Sequence, residues 1–119
     1  MGLPASRRLK RHGEFARVKA GGSGQKGRFV VLNVLQTGGT SPSRCGIITG
    51  RKIGNAVHRN RVRRRLREIV RREGERITSG LWLVIIARWN ATQATMDELK
   101  QDWTRCATRA GIFQANPAR

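Results

Sequence analysis

The side chains best able to do chemistry are concentrated in one run, Gly50-Arg-Lys-Ile-Gly-Asn-Ala-Val-His-Arg-Asn-Arg-Val-Arg-Arg-Arg-Leu-Arg-Glu68. Its chemistry is cationic. Arginine presents a planar fork of N–H donors that matches phosphate oxygens in pairs. Arg51 and Lys52 precede a Gly54-Asn55 turn, which brings them near the start of whatever follows. Arg59, Arg61, Arg63, Arg64 and Arg67 then follow within what reads as one helix. Among them Asn60 carries both a donor and an acceptor, so it can fix a backbone or a base edge as an arginine cannot. Together these residues suit a polyanion with a bent or grooved backbone. The plain alternative for any charge run is a solvated face. Here the acids that would neutralise such a face are scarce.

The whole chain repeats that imbalance. Its 119 residues hold 25 Lys and Arg against 7 Asp and Glu, a net charge of +18. The charge is uneven, with residues 1–28 at +7 and residues 51–76 at +8. A basic face, rather than a uniformly basic surface, is expected.

Patterns for catalysis by the chain itself are missing. A magnesium-dependent nuclease gathers carboxylates, yet Asp97, Glu98 and Asp102 are the only tight acidic cluster. Helix capping and the helix dipole account for the first two. His12 and His58 have no acid or cysteine partner at useful spacing. Gly46–Lys52 lacks the glycine spacing and the following Ser or Thr of a phosphate-binding loop. Cys45 and Cys106 stand alone and far apart, which fits two reduced thiols rather than a zinc site or a disulfide framework. The expectation is no catalytic residue, no metal and no small-molecule substrate.

A second candidate cluster precedes the run. Phe15 lies beside Arg17 and Lys19. An exposed aromatic among bases can stack an unpaired nucleotide. By spacing alone, the same residue also fits a core position.

The elements that must position these groups follow from periodicity. A short helix is expected over residues 12–20, and Gly21-Gly22-Ser23-Gly24 reads as a flexible loop. Phe29–Gln36 and Arg44–Arg51 read as strands, the second antiparallel to the first across the short turn Thr37–Ser43. Val62, Leu66, Ile69 and Val70 make one apolar stripe on a helix over 56–73. That places Asn60, Arg64, Arg67 and Arg71 opposite the stripe. Arg63 and Arg65 flank it, stems on apolar surface and heads reaching out. Leu81–Ala87 is almost all apolar, a central strand buried on both faces. Thr95 and Glu98 form a capping box for a last helix that Gly111 ends. The 56–73 helix would cross over between strands 44–51 and 81–87.

One domain spanning 1–119 is expected, ordered over about 7–113 with a frayed C-terminal tail. No stretch reaches the roughly 18–20 apolar residues of a membrane span, and the basic start lacks a secretory apolar stretch. A cytoplasmic location, without a membrane partner, is the expectation.

The run resembles the signature of the bacterial ribonuclease P protein family: a basic pair, then Gly-Asn-Ala-Val, then Arg-Asn-Arg opening a basic helix. Arg51-Lys52, Gly54-Asn55-Ala56-Val57 and Arg59-Asn60-Arg61 match it position by position, and Arg63, Arg64 and Arg67 match its further basic positions. The similarity extends over about 7–113, including the Phe15 helix and Ala87-Arg88. It implies an α+β sandwich like some ribosomal-protein domains, with a left-handed β-α-β crossover. It also implies a partnership with a catalytic RNA subunit, which supplies the magnesium chemistry, while the protein binds no cofactor itself. The second implied partner is the single-stranded 5′ leader of precursor tRNA. Arg51, Lys52, Asn55, Arg59, Asn60, Arg61, Arg63, Arg64 and Arg67 would contact RNA. Phe15, Lys19, Asn33, Arg28 and Arg88 would belong to a leader cleft. Lys19 and Asn33 stand where the family often carries further aromatics. A structural ribosomal or chaperone-like RNA-binding protein, with no link to cleavage, is the alternative from composition alone.

Overall fold

A computed structural model describes residues 7–114. The helices are α1 (His12–Gly21), α2 (Ala56–Glu73) and α3 (Met96–Ala110), and the strands are β1 (Ser23–Lys26), β2 (Val30–Gln36), β3 (Arg44–Thr49) and β4 (Leu81–Ala87). The sheet runs in the order β1-β2-β4-β3. β4 is antiparallel to β2 and parallel to β3. The result is the expected α+β sandwich, and α2 is the crossover between two parallel strands.

Period-two alternation splits the sheet into two faces. Val30, Leu32 and Val34 of β2 and Leu81, Leu83, Ile85 and Ala87 of β4 point one way. They join Val62, Leu66, Ile69 and Val70 of α2 and Leu99, Trp103, Cys106 and Ala107 of α3 in the main core. Burial there holds α2 and α3 to the sheet. The opposite face is only partly covered. Leu9, Val18 and Val84 are buried on it, with Phe15, Leu35, Trp82 and Ile86 packed around them.

Three sequence expectations need correction. The glycine-rich stretch is not all loop, because Ser23–Lys26 forms an edge strand on β2 in register Ser23↔Val34 to Lys26↔Val31. β2 and β3 do run in opposite directions, but they are not neighbours, since β4 lies between them. The 37–43 connection makes room by gripping the start of β4. Thr37 donates its N–H to the Gly80 carbonyl at 2.9 Å, Gly80 donates to Ser41 at 2.8 Å, and Leu81 donates to Ser43 Oγ at 3.1 Å. A Cβ on Gly80, at φ 79°, would meet the Gly39 carbonyl, so this turn needs glycine. Finally, β4 is fully buried on one face only. On the other, Trp82 and Ile86 stay half-exposed beside α1.

The helix ends follow the sequence signals. Thr95 Oγ1 accepts from the Glu98 N–H while Glu98 accepts from the Thr95 N–H, and Gly111 adopts the left-handed conformation at φ 71°. Beyond α3, Gln114 donates its N–H to the Arg76 carbonyl at 2.6 Å, so order continues past Phe113. The expected frayed tail concerns residues 115–119, which lie outside the described residues. Among the described residues no helix is long and apolar enough to cross a membrane.

Candidate nucleic-acid interface

Two surfaces carry the candidate residues. The first begins where β3 ends. Arg51–Ile53 form a single 3-10 turn with Arg51 and Lys52 exposed and Ile53 buried in the core. Gly54 follows at φ 138°, a conformation that side-chain-bearing residues rarely adopt, and its N–H donates to the Arg51 carbonyl at 3.1 Å. Asn55 then caps α2, its Oδ1 accepting from the His58 N–H at 3.1 Å. Its first task is therefore to shape the turn that presents Arg51 and Lys52.

Along α2 the apolar stripe is buried as expected, with Asn60, Arg61 and Arg64 exposed and Arg59 half-buried. Arg63 is different. Its guanidinium donates to Asn60 Oδ1 at 3.0 Å and to the buried Thr49 Oγ1, which ties α2 to β3. Arg65 does not reach out either, since its Nη1 docks on the Ala94 carbonyl at 2.9 Å. Arg67 leans over the edge of β3 toward Arg8 and Phe15. Burial, with Arg63 and Arg8 close by, pulls its pKa below the usual arginine value. Three guanidiniums near one another with no acid among them make a place that a phosphate would relieve.

The basic face stops there. Arg71 and Arg72 both pair with Glu68, at 2.7 Å each, and hold its carboxyl at about 2. The sequence puts Arg71 on the same face as Arg64, but a local acid engages it.

The second surface is a cleft between α1 and the exposed part of the sheet. Lys10, His12, Phe15, Ala16 and Lys19 form one wall, and Asn33, Ile48, Val84 and Ile86 line the floor. Phe15 answers both sequence readings at once. It packs with the small cluster of Leu9, Val18 and Val84 and is only half-buried, so it also faces the cleft. Its seat exists because Gly46 has no side chain. A Cβ there would stand 2.3 Å from Phe15 Cε1. Lys19 is exposed and Asn33 half-buried, so the cleft offers one aromatic, an amide and at least two cations.

Arg28 and Arg88 are not in the cleft walls. They sit past its end, where Arg88 donates its N–H to the Phe29 carbonyl and its Nη1 to the Gly27 carbonyl at 2.9 Å. Arg28 lies over the Phe29 ring at 4.8 Å. Both remain exposed.

Sequence reasoning missed Asp102. It is 1% exposed and accepts from the backbone N–H groups of Arg28 (2.8 Å), Phe29 (2.7 Å) and Val30 (3.0 Å). Burial pushes its carboxyl up, but these three donors and Arg105 outweigh it and hold the pKa below the ordinary value. Asp102 thus anchors the β1–β2 hairpin that borders the cleft. Only its helical position beside Trp103 hints at burial in the sequence. Among the described residues no three His, Cys, Asp or Glu side chains gather into a possible metal site.

The comparisons with known proteins agree on one family. The family model described as Ribonuclease P matches residues 3–111. A relative from Symbiobacterium thermophilum, named ribonuclease P protein component, is 41% identical over 107 residues, covering 90% of this chain and 93% of its own. One from Brevibacillus brevis is 38% identical, covering 94% and 89%. The solved ribonuclease P protein of Staphylococcus aureus superposes with a TM-score of 0.84 at 26% identity, covering 91% of this chain and 98% of that one. The Thermotoga maritima protein gives 0.76 at 26% identity, covering 86% and 96%. With near full-length matches in both sequence and fold, the chain belongs to the bacterial ribonuclease P protein family, the protein components of that endoribonuclease.

Proposed function

We propose that this chain, as a protein component of ribonuclease P, lays its basic turn and α2 against the RNA subunit and holds the 5′ leader of precursor tRNA in the α1 cleft. Arg51, Lys52, Arg59, Asn60, Arg61, Arg64 and Arg67 would make the RNA-subunit contacts, with Asn55 and Arg63 shaping and bracing that surface. Phe15, Lys19 and Asn33 would contact the leader, and Arg28 and Arg88 would meet it beyond the cleft. The observation that carries the reading is the cleft itself. A half-buried aromatic and exposed cations line one groove over an apolar strand floor, which suits an unpaired strand far better than a duplex.

The roles divide accordingly. The groups assigned here bind and orient, and among the described residues no three His, Cys, Asp or Glu side chains gather; we assign the magnesium and the hydrolysis to the RNA. Cations on both sides of the edge strand would neutralise phosphates of two RNA chains brought close together. That lets the leader and the catalytic RNA approach at lower magnesium than they otherwise need.

The test is reconstitution. The purified chain is combined with a bacterial ribonuclease P RNA and a precursor tRNA, at magnesium too low for the RNA alone. Cleavage leaving a 5′-phosphate on mature tRNA is expected. The Arg64→Ala/Arg67→Ala double variant should fold normally and bind the RNA subunit at least tenfold more weakly, an order of magnitude for two phosphate contacts. Tight RNA binding without any stimulation of cleavage would favour a purely structural RNA-binding role instead.

A further inference from the structure

We propose that Trp89 is a stacking platform for an unpaired nucleobase of the leader, at the end of the α1 cleft. The inference rests on the leader reading above and extends it to a residue outside the cleft walls. Trp89 is 58% exposed, while the other two tryptophans are covered, Trp103 completely and Trp82 in part. A lone exposed apolar side chain is ordinary, but the surroundings of this one are not.

β3 and β4 are parallel, and the pairs Ile48↔Ile86 and Thr49↔Ala87 bring their C-terminal ends side by side. Ile48 and Ile86 are the last floor residues of the cleft. Immediately beyond them the two strands run into Arg51-Lys52 and Arg88-Trp89 respectively. The 3-10 turn Trp89–Gln93 packs against the 3-10 turn Arg51–Ile53. Arg28 joins from the hairpin side, since the Arg88 N–H bonds the Phe29 carbonyl at 2.8 Å. Arg28 and Arg88, the two cations assigned to the leader beyond the cleft, are exposed at this end of the strands, as is the indole that follows Arg88 in the chain. Cations that hold phosphates beside a π-face that accepts any base make the usual sequence-tolerant single-strand site. In this proposal a strand that leaves the cleft past Ile86 and Arg88 turns onto the indole next. In a chain that carries Lys19 and Asn33 rather than aromatics inside the cleft, Trp89 would supply a second stacking surface.

The experiment uses the reconstituted holoenzyme and precursor tRNAs with leaders of increasing length, together with leaderless mature tRNA. Tryptophan emission, excited at its red edge, is followed in the wild type and in Trp89→Phe. Quenching that begins only above a threshold leader length, and vanishes in Trp89→Phe, is expected. In binding assays Trp89→Ala should lose about 5- to 150-fold in affinity for long-leader precursor, the fold-change equivalent to stacking one base. It should leave affinity for mature tRNA and for the RNA subunit unchanged, and Trp89→Phe should recover most of the loss. Equal losses for mature tRNA, or quenching by the RNA subunit alone, would overturn the assignment to the leader. So would unchanged long-leader affinity in Trp89→Ala. Phe15→Ala is measured in parallel. If Phe15→Ala weakens long-leader binding and Trp89→Ala does not, only this inference fails. If Trp89→Ala does and Phe15→Ala does not, the platform stands and the cleft reading fails.

Discussion

Gly46 lies in the middle of an edge strand, where any β-branched residue would be favoured by propensity alone. Its Cβ position is occupied by the Phe15 ring, at 2.3 Å from Cε1 and 2.5 Å from Cζ. Gly46→Ala therefore forces the ring back by about 1 Å or more to reach van der Waals distance. Leu9 blocks one retreat, because the same Cβ would be 3.3 Å from the Leu9 Cβ, and buried Val18 and Val84 pack against Phe15 as well. The remaining direction is outward into the cleft. Overpacking of this kind costs about 1–3 kcal/mol. Replacing a strand glycine recovers about 0.5–1 kcal/mol of backbone entropy. A net loss of about 1–2 kcal/mol is expected, or roughly 4–8 °C in Tm for a domain this size. Thermal and urea unfolding followed by circular dichroism measure it. The cycle with Phe15→Ala is the sharper assay. With the ring gone the new methyl has room, so the two changes together should cost less than their sum by about 1 kcal/mol. Leader affinity of Gly46→Ala should fall toward that of Phe15→Ala. An additive cycle, or a Gly46→Ala protein as stable as the wild type, would show that the ring is not fixed by this contact.

Other predictions follow from single contacts. Asp102→Asn should destabilise the fold by about 2–4 kcal/mol at neutral pH, since an amide cannot accept from three backbone N–H groups as a carboxylate does. Because the folded-state pKa lies below the ordinary value, that stabilisation is complete above the usual aspartate range. It is lost as pH falls through the folded pKa, so the gap between wild type and variant in urea unfolding should close on acidification; a pH-independent gap would contradict the assignment. Burial pushes the Cys45 thiol up to about 12 and also raises Cys106. Neither should react with iodoacetamide at pH 8 faster than the protein unfolds. Lys19→Phe should flatten the salt dependence of leader-dependent precursor binding, changing its log–log slope by about 0.7, the value for one phosphate contact on a single strand. An unchanged slope would place Lys19 away from the leader.

What the sequence revealed depended on how local the cause was. The α2 stripe, the Thr95–Glu98 box and the Gly111 stop are all set within a few residues, and each appears where periodicity puts it. β1 has no such signal. Ser-Gly-Gln-Lys is neither apolar nor alternating, and it becomes a strand because β2 offers it a paired edge and Asp102 fixes the turn at Arg28–Val30. That carboxylate also explains Gly27, where a Cβ would come within 2.5 Å of Asp102 Oδ2. Partners separated by 74 residues leave no local pattern. Strand order was hidden for a related reason. The short β2–β3 connection suggests a hairpin, yet seven nearly all-apolar residues of β4 gain more by lying between two strands than at an edge. Trp89 was overlooked because an isolated tryptophan carries no periodicity. Its meaning comes only from the two strand ends that the fold brings together.

The acids show how so basic a chain defines a surface at all. With a net charge of +18, self-repulsion opposes compaction, and the 7 acids must act where they help most. Glu14 caps the start of α1 and pairs with Arg44 at 2.8 Å. Glu68 holds Arg71 and Arg72, Glu73 pairs with Arg76 at 3.1 Å, Glu98 closes the α3 box, and Asp102 anchors the hairpin. Each of these contacts is also a structural one. Among the described residues, Lys10, Lys19, Arg51, Lys52, Arg59, Arg61, Arg64, Arg67 and Arg88 take part in no ion pair with an acid. These cations mark the cleft, its far end and the first half of α2. Lys26, Lys100 and Arg109 are likewise without an acid and lie elsewhere, so it is along α2 that an acid, Glu68, sets a limit to the basic face. Placing a carboxylate at an exposed α2 position, as in Arg61→Glu, should weaken RNA binding more than Arg61→Ala while leaving the fold intact, because it would extend to this face the local neutralisation that Glu68 already imposes about two turns further on. Equal losses for the two variants in filter binding with the RNA subunit would mean that Arg61 acts through shape rather than charge, and that the acid-free surface is not what the RNA reads.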